Sequence, residues 1–147
     1  MSKFAQGTFH PKNPAKYVGR KAPRFRSSWE FTVMNAFDTN PNVVNWASEA
    51  VRIPYIHPLT GKRTEYVPDF LVVYIDKNNK QHVEMIEVKP LKQSTMESAR
   101  TNEQKAVVLI NQAKWQAAAA YCKANRITFR VISEHDIYRG TQKKAKK

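Results

Sequence analysis

EYVPDFLVVYIDKNNKQHVEMIEVKP, residues 65–90, decides the fold. Two β-rich runs, 65–76 and 81–89, flank the polar tetrapeptide Lys77-Asn78-Asn79-Lys80, which reads as the turn of a hairpin. Pro90, which cannot donate to a ladder, stops the second run. From Phe70 to Ile75 the first run is apolar on both faces, so it is predicted to lie inside a sheet covered on both sides. Residues two apart in a strand point the same way. Glu87 and Lys89 therefore share one face, and Ile86 and Val88 take the other. A turn centred between Asn78 and Asn79 leaves Asp69 one position short of Glu87. A one-residue slip or bulge then brings the two carboxylates side by side, next to the Lys89 ammonium.

Outward from the hairpin, 27–37 reads as a short helix capped by Ser27 and ended by Asn40-Pro41. Residues 43–56 alternate loosely as a β-rich run, and 57–62 read as a turn. The polar stretch 92–101 reads as a loop. In 102–124, Ala106, Leu109, Ile110, Ala113, Ala117, Ala120, Tyr121 and Ala124 recur at helical spacing. A last strand, 127–133, and a short turn, 134–138, follow. The order is α-β-β-β-α-β, an α/β chain with a mixed sheet flanked by helices.

A chain of 147 residues suits one domain. No apolar run approaches the ~20 residues that span a bilayer, so no membrane association is expected. The N-terminal MSKFAQGTFHPK has no apolar h-region, so no secretory signal is expected. A single cysteine, Cys122, excludes an internal disulfide, and four scattered histidines (10, 57, 82 and 135) argue against structural zinc. No glycine stands in a GxxxxGK[ST] or GxGxxG frame, so no nucleotide cofactor is expected.

The net charge of +13 sits at the ends. Residues 1–27 carry seven basic residues and no acid, residues 139–147 carry five and no acid, and the body between is near neutral at +1. The division is a basic arm, 1–26, a domain, 27–138, and a basic tail, 139–147. Double-stranded DNA fits such arms, because each neutralised phosphate releases counterions. Lys16, Arg20, Lys21, Arg24, Arg26, Lys143 and Lys144 are the candidate contacts. Phe4, Phe9, Tyr17 and Phe25 lie among these cations and either stack on bases or pack on the body; the sequence leaves both open. Pro11, Pro14 and Pro23 argue for an extended arm.

Two adjacent carboxylates repel each other unless a cation lies between them. Hard oxygen ligands suit Mg²⁺, with Mn²⁺ as a substitute, and the Val88 carbonyl can add a further oxygen. Lys89 stands where it can orient or deprotonate water. Such a set suits phosphodiester hydrolysis.

Pro68-Asp69, seventeen residues, then Glu87-Val88-Lys89 resembles the frame of the PD-(D/E)xK nuclease superfamily, and the element order resembles its restriction-endonuclease-like core. VPDFLV (67–72), IEVKP (86–90) and KWQAAAAYCKANRITFRVISEHDI (114–137) are similar to the N-terminal catalytic domain of TnsA-type transposon endonucleases. With its short length and basic ends the chain resembles the head-completion nucleases of T-even-like tailed phages. The resemblance implies a Mg²⁺-dependent deoxyribonuclease, endonuclease rather than exonuclease, acting in the host cytoplasm during head assembly. Head or neck proteins are then partners, and the virion is a second location. It implies Glu30, Asp69 and Glu87 as catalytic metal ligands, to which the Val88 carbonyl noted above would add, and Lys89 as the catalytic lysine. TnsA-type enzymes often carry Gln where this chain has Glu87, and the QxxxY motif of exonuclease branches is absent.

Each candidate also has a plainer role. Glu30 closes a capping box from Ser27. Asp69, after proline, can shape a bulge, and Glu87 and Lys89 can be an ordinary ion pair. Gln112 and Lys114 are weaker candidates, at positions where relatives touch DNA or water, and Trp115 reads as core. A transposon-end or junction-resolving endonuclease, a homodimer if two strands are cut symmetrically, and an inactive DNA-binding head protein are the competing functions.

Overall fold

A computed structural model of the chain describes residues 6–89, 99–133 and 136. Lys143, Lys144, the basic tail, most of the 92–101 loop and most of the turn at 134–138 lie outside the described residues. Two short strands, β1 (Gly7–Thr8) and β2 (Arg24–Phe25), precede helix α1 (Ser28–Thr39), followed by β3 (Val43–Ser48), β4 (Ile53–Ile56), β5 (Arg63–Tyr66), β6 (Phe70–Ile75), β7 (Gln81–Val88), helix α2 (Asn102–Ala124) and β8 (Thr128–Ile132).

The central sheet runs β3-β6-β7-β8. The first two pairings are antiparallel, and β7 pairs β8 in parallel, with α2 as the crossover. The α-β-β-β-α-β order is thus realised as a mixed sheet. The two outer β-rich runs each split in two. Glu49, at φ 51, turns the chain out of β3, and Val67-Pro68-Asp69 separates β5 from β6. The freed pieces, β4 and β5, form a ribbon of their own.

The hairpin register also differs from the four-residue turn. Asp76 N–H donates to the Lys80 carbonyl (2.9 Å), leaving a three-residue loop, Lys77 to Asn79. Asn79 supplies the left-handed step at φ 63. The Asp76 carboxylate holds the loop by accepting from Asn78 N–H (2.8 Å) and Lys80 N–H (3.0 Å). Phe70 then faces Ile86, and the same register places Asp69 opposite Glu87 with no slip.

Each face of the sheet has its own core. Met34, Phe37, Trp46, Phe70, Val72, Ile86 and Val88 cluster on the α1 side, and Ile53, Tyr55, Tyr66, Met85, Ala118 and Cys122 on the α2 side. Helix α2 begins in a capping box between Thr101 and Gln104.

The N-terminal segment read as an arm is docked onto the body over residues 6–26. Phe9 is 5% exposed and meets Trp46 edge-on, as does Tyr17 at 4.7 Å between ring centroids. Phe25 stands edge-on to Phe31. These three aromatics therefore pack on protein. The tie is Asp38, fully buried near the end of α1, whose carboxylate accepts from Lys12 N–H (2.8 Å) and Asn13 N–H (3.1 Å).

Candidate active site

The hairpin brings Asp69 and Glu87 together, and each carboxylate is held by the other's strand. Asp69 N–H donates to Glu87 Oε1 at 3.2 Å, and Val88 N–H donates to Asp69 Oδ2 at 2.8 Å. Pro68 leaves the strand without a donor just before Asp69, so side chains take over where the ladder stops. Lys89 Nζ lies 3.7 Å from Glu87 Oε2, on the face that strand alternation assigns to both. Ile86 and Val88 point into the α1-side core, as that alternation requires.

This packing is electrostatically costly. Burial, then repulsion from Glu87, pushes the Asp69 carboxyl well above its usual range. Burial raises Glu87 too, against the pull of Lys89. Two desolvated carboxylates that resist joint ionisation are a donor set a divalent cation would stabilise. Among the described residues, Asp69 Oδ1 and Glu87 Oε2 accept none of the hydrogen bonds that hold the clasp, and Glu87 Oε2 has the Lys89 ammonium 3.7 Å away.

Glu30 sits at the third position of α1. Ser27 Oγ accepts from Glu30 N–H at 3.1 Å, and Glu30 Oε1 accepts from Arg26 N–H at 3.0 Å, one residue before the cap that a standard box would use. Burial raises its pKa, and the charges of Glu49 and Lys89 reach it. It neighbours the Asp69 charge, yet among the described residues no three His, Cys, Asp or Glu side chains form a group that could hold a metal ion. The structure thus assembles Asp69, Glu87 and Lys89, with Glu30 engaged at its own helix end. Val88 meets the site through its N–H.

Two side chains with little weight in the sequence reading complete the surroundings. Lys114, on α2, places Nζ 5.7 Å from the centre of the Tyr66 ring. Its pKa is lowered, first by burial and then by Lys89, while Glu87 opposes the shift. Tyr66 ends β5 and is 4% exposed, and burial followed by the Glu87 charge raises its hydroxyl pKa steeply. The split of 65–76 into β5 and β6 hid Tyr66, because a continuous strand gave it no reason to face Glu87.

Of the candidate DNA contacts, Lys16 is used internally: Nζ donates to the carbonyls of Asp38 (3.1 Å) and Asn40 (2.7 Å), where α1 ends. Arg20, Lys21 and Arg24 are exposed. Arg26 is exposed as well, with Nη2 2.9 Å from Glu49 Oε1.

The central hairpin of a mixed sheet brings two carboxylates and a lysine together, and the chain belongs to the TnsA-like endonuclease N-terminal family, whose model matches residues 40–134. That span contains Tyr66, Asp69, Glu87, Lys89 and Lys114; Glu30 lies before it. The chain is also 30% identical over 139 residues, 87% of its own length and 90% of the relative's, to the head completion nuclease of Enterobacteria phage T4.

Proposed function

We propose that this chain is a metal-dependent deoxyribonuclease that hydrolyses phosphodiester bonds, an endonuclease that trims or processes DNA during phage head completion. The observation that carries the reading is the reciprocal clasp of Asp69 and Glu87 beside Lys89. The family and the phage relative support the same chemistry and setting.

In this reading Asp69 and Glu87 would hold Mg²⁺, or Mn²⁺ in its place, with the Val88 carbonyl as a further oxygen; Glu30, whose Oε1 accepts from Arg26 N–H, would join them only by moving toward the pair. The ion, when bound, polarises a phosphoryl oxygen and acidifies water. Lys89 orients the attacking water and offsets the charge that develops on the phosphoryl group. Lys114 adds a second ammonium beside Glu87. Arg20, Lys21, Arg24 and Arg26, with Lys143 and Lys144, hold duplex backbone without reading bases. Head or neck proteins are the proposed partners, and the host cytoplasm and virion the proposed locations. Among the described residues no helix is long and apolar enough to cross a membrane.

The test is cleavage of linear and circular duplex, with and without Mg²⁺, by wild type and Lys89→Ala. Metal-dependent nicking of the circle that fails in the variant supports the reading. Equal cleavage by the two proteins, or cleavage in chelator, rejects it.

A further inference from the structure

Tyr66 presents a problem that its neighbours help to solve. The hydroxyl is buried and, among the described residues, has no hydrogen-bond partner, and Trp115 Nε1, on α2, is buried without one there too. The Tyr66 oxygen faces the Glu87 carboxylate, and the indole N–H of Trp115 faces the Tyr66 oxygen, each short of hydrogen-bond geometry in this conformation. A buried donor left unsatisfied costs folding free energy, and a phenylalanine at 66 would avoid it. The two donors are neighbours, Trp115 of Tyr66 and Tyr66 of Glu87. Lys114 sits over the ring.

We propose that Tyr66 and Trp115 are positioning residues for Glu87, a donor chain from Trp115 N–H to Tyr66 oxygen and from Tyr66 O–H to the carboxylate, which closes when a divalent cation draws Glu87 into place. The inference rests on the reading of Asp69 and Glu87 as metal ligands. Glu87 Oε1 is already fixed by Asp69 N–H. A second donor fixes the rotation of the carboxylate and so the lone pair it presents to the ion.

Calorimetric titration of the full chain with Mn²⁺ and with Mg²⁺, combined with thermal melting in chelator, tests this. Tyr66→Phe is expected to bind metal about tenfold more weakly. Its metal-free melting temperature should equal or exceed that of wild type, because an unsatisfied hydroxyl has been removed. Trp115→Phe should weaken metal binding by a smaller factor. Metal affinity unchanged in Tyr66→Phe overturns the proposal, as does an affinity loss that comes with a lower melting temperature, since that is simple loss of packing. Asp69→Asn in the same titration tests the underlying reading separately. If it binds metal like wild type, the ligand assignment falls whatever Tyr66→Phe does; if only Tyr66→Phe is unaffected, the donor chain alone falls. Wild type that takes up no metal removes both.

Discussion

Glu84 and Glu87 stand three residues apart on β7, on opposite faces of one sheet, and are buried to the same degree at 8% and 5% exposure. Glu84 is provided for. Tyr74 Oη donates to Glu84 Oε2 at 2.6 Å, and Arg130 Nη1 lies 3.0 Å from Oε1. The bond shows on the tyrosine, whose pKa is pushed up to about 12 by burial and by Glu84. Glu87 has a tyrosine as well, but that hydroxyl does not close on it, its nearest lysine is 3.7 Å away, and a second carboxylate lies beside it. Burial does not separate a structural carboxylate from a chemical one. What separates the two is that the protein supplies Glu84 with its counter-charge, whereas Glu87 is set against a second carboxylate, the arrangement on which the proposed metal site rests.

The contrast can be broken most sharply at Asp69. Asp69→Asn keeps an oxygen for Val88 N–H but removes one negative charge. Cleavage should fall by about a thousandfold, the several kcal/mol that metal-held charge stabilisation supplies. The metal-free protein should melt higher, because a repulsion has gone. At the other end of the hairpin, Glu84→Ala strands the Tyr74 hydroxyl and the Arg130 guanidinium. It should cost about 1–2 kcal/mol in denaturant melts while leaving the metal dependence of cleavage unchanged.

Acidity sharpens the same comparison. With folded-state pKa values raised, Asp69 and Glu87 bind more protons folded than unfolded across the interval between the two values. Stability contributed by these groups therefore falls as pH rises through that interval. The difference in melting temperature between Asp69→Asn and wild type, measured in chelator, should widen in favour of the variant from the ordinary Asp range near 3.8 upward. Saturating Mg²⁺ should shrink it. The smallest effect belongs to neither centre. Arg52→Ala removes an exposed ion pair to Glu65 at 3.3 Å and should shift stability by less than about 0.5 kcal/mol.

Much of this was legible in the residues. The apolar run after Asp69, the alternation through Glu87-Val88-Lys89, and the alanine-rich spacing of α2 each carry their structure locally, and the paired carboxylates follow from them. What was not legible depends on long separations. Asp38 ties down Lys12 and Asn13 from more than twenty positions away, and no local pattern marks a buried aspartate as an anchor for a cationic segment. Lys16 looks like any basic residue until the end of α1 is placed beside it. Tyr66 reads as one more strand residue because the break at 67–69 depends on where the β4–β5 ribbon lands. The capping role of Glu30 was written in Ser27-Ser28-Trp29-Glu30, and the structure realises it one residue upstream.

The loop from Lys77 to Asn79 is fully exposed and touches no member of the candidate site. Exposed loops ordinarily accept insertions at little thermodynamic expense. Here one added residue would rotate the phase of every partner along β6 and β7, and Asp69 would meet a side chain bound for the opposite core. The length of a solvent-facing connector is thereby tied to the pairing of the two acids, and a longer connector would need a compensating bulge or deletion along the hairpin to keep Asp69 opposite Glu87.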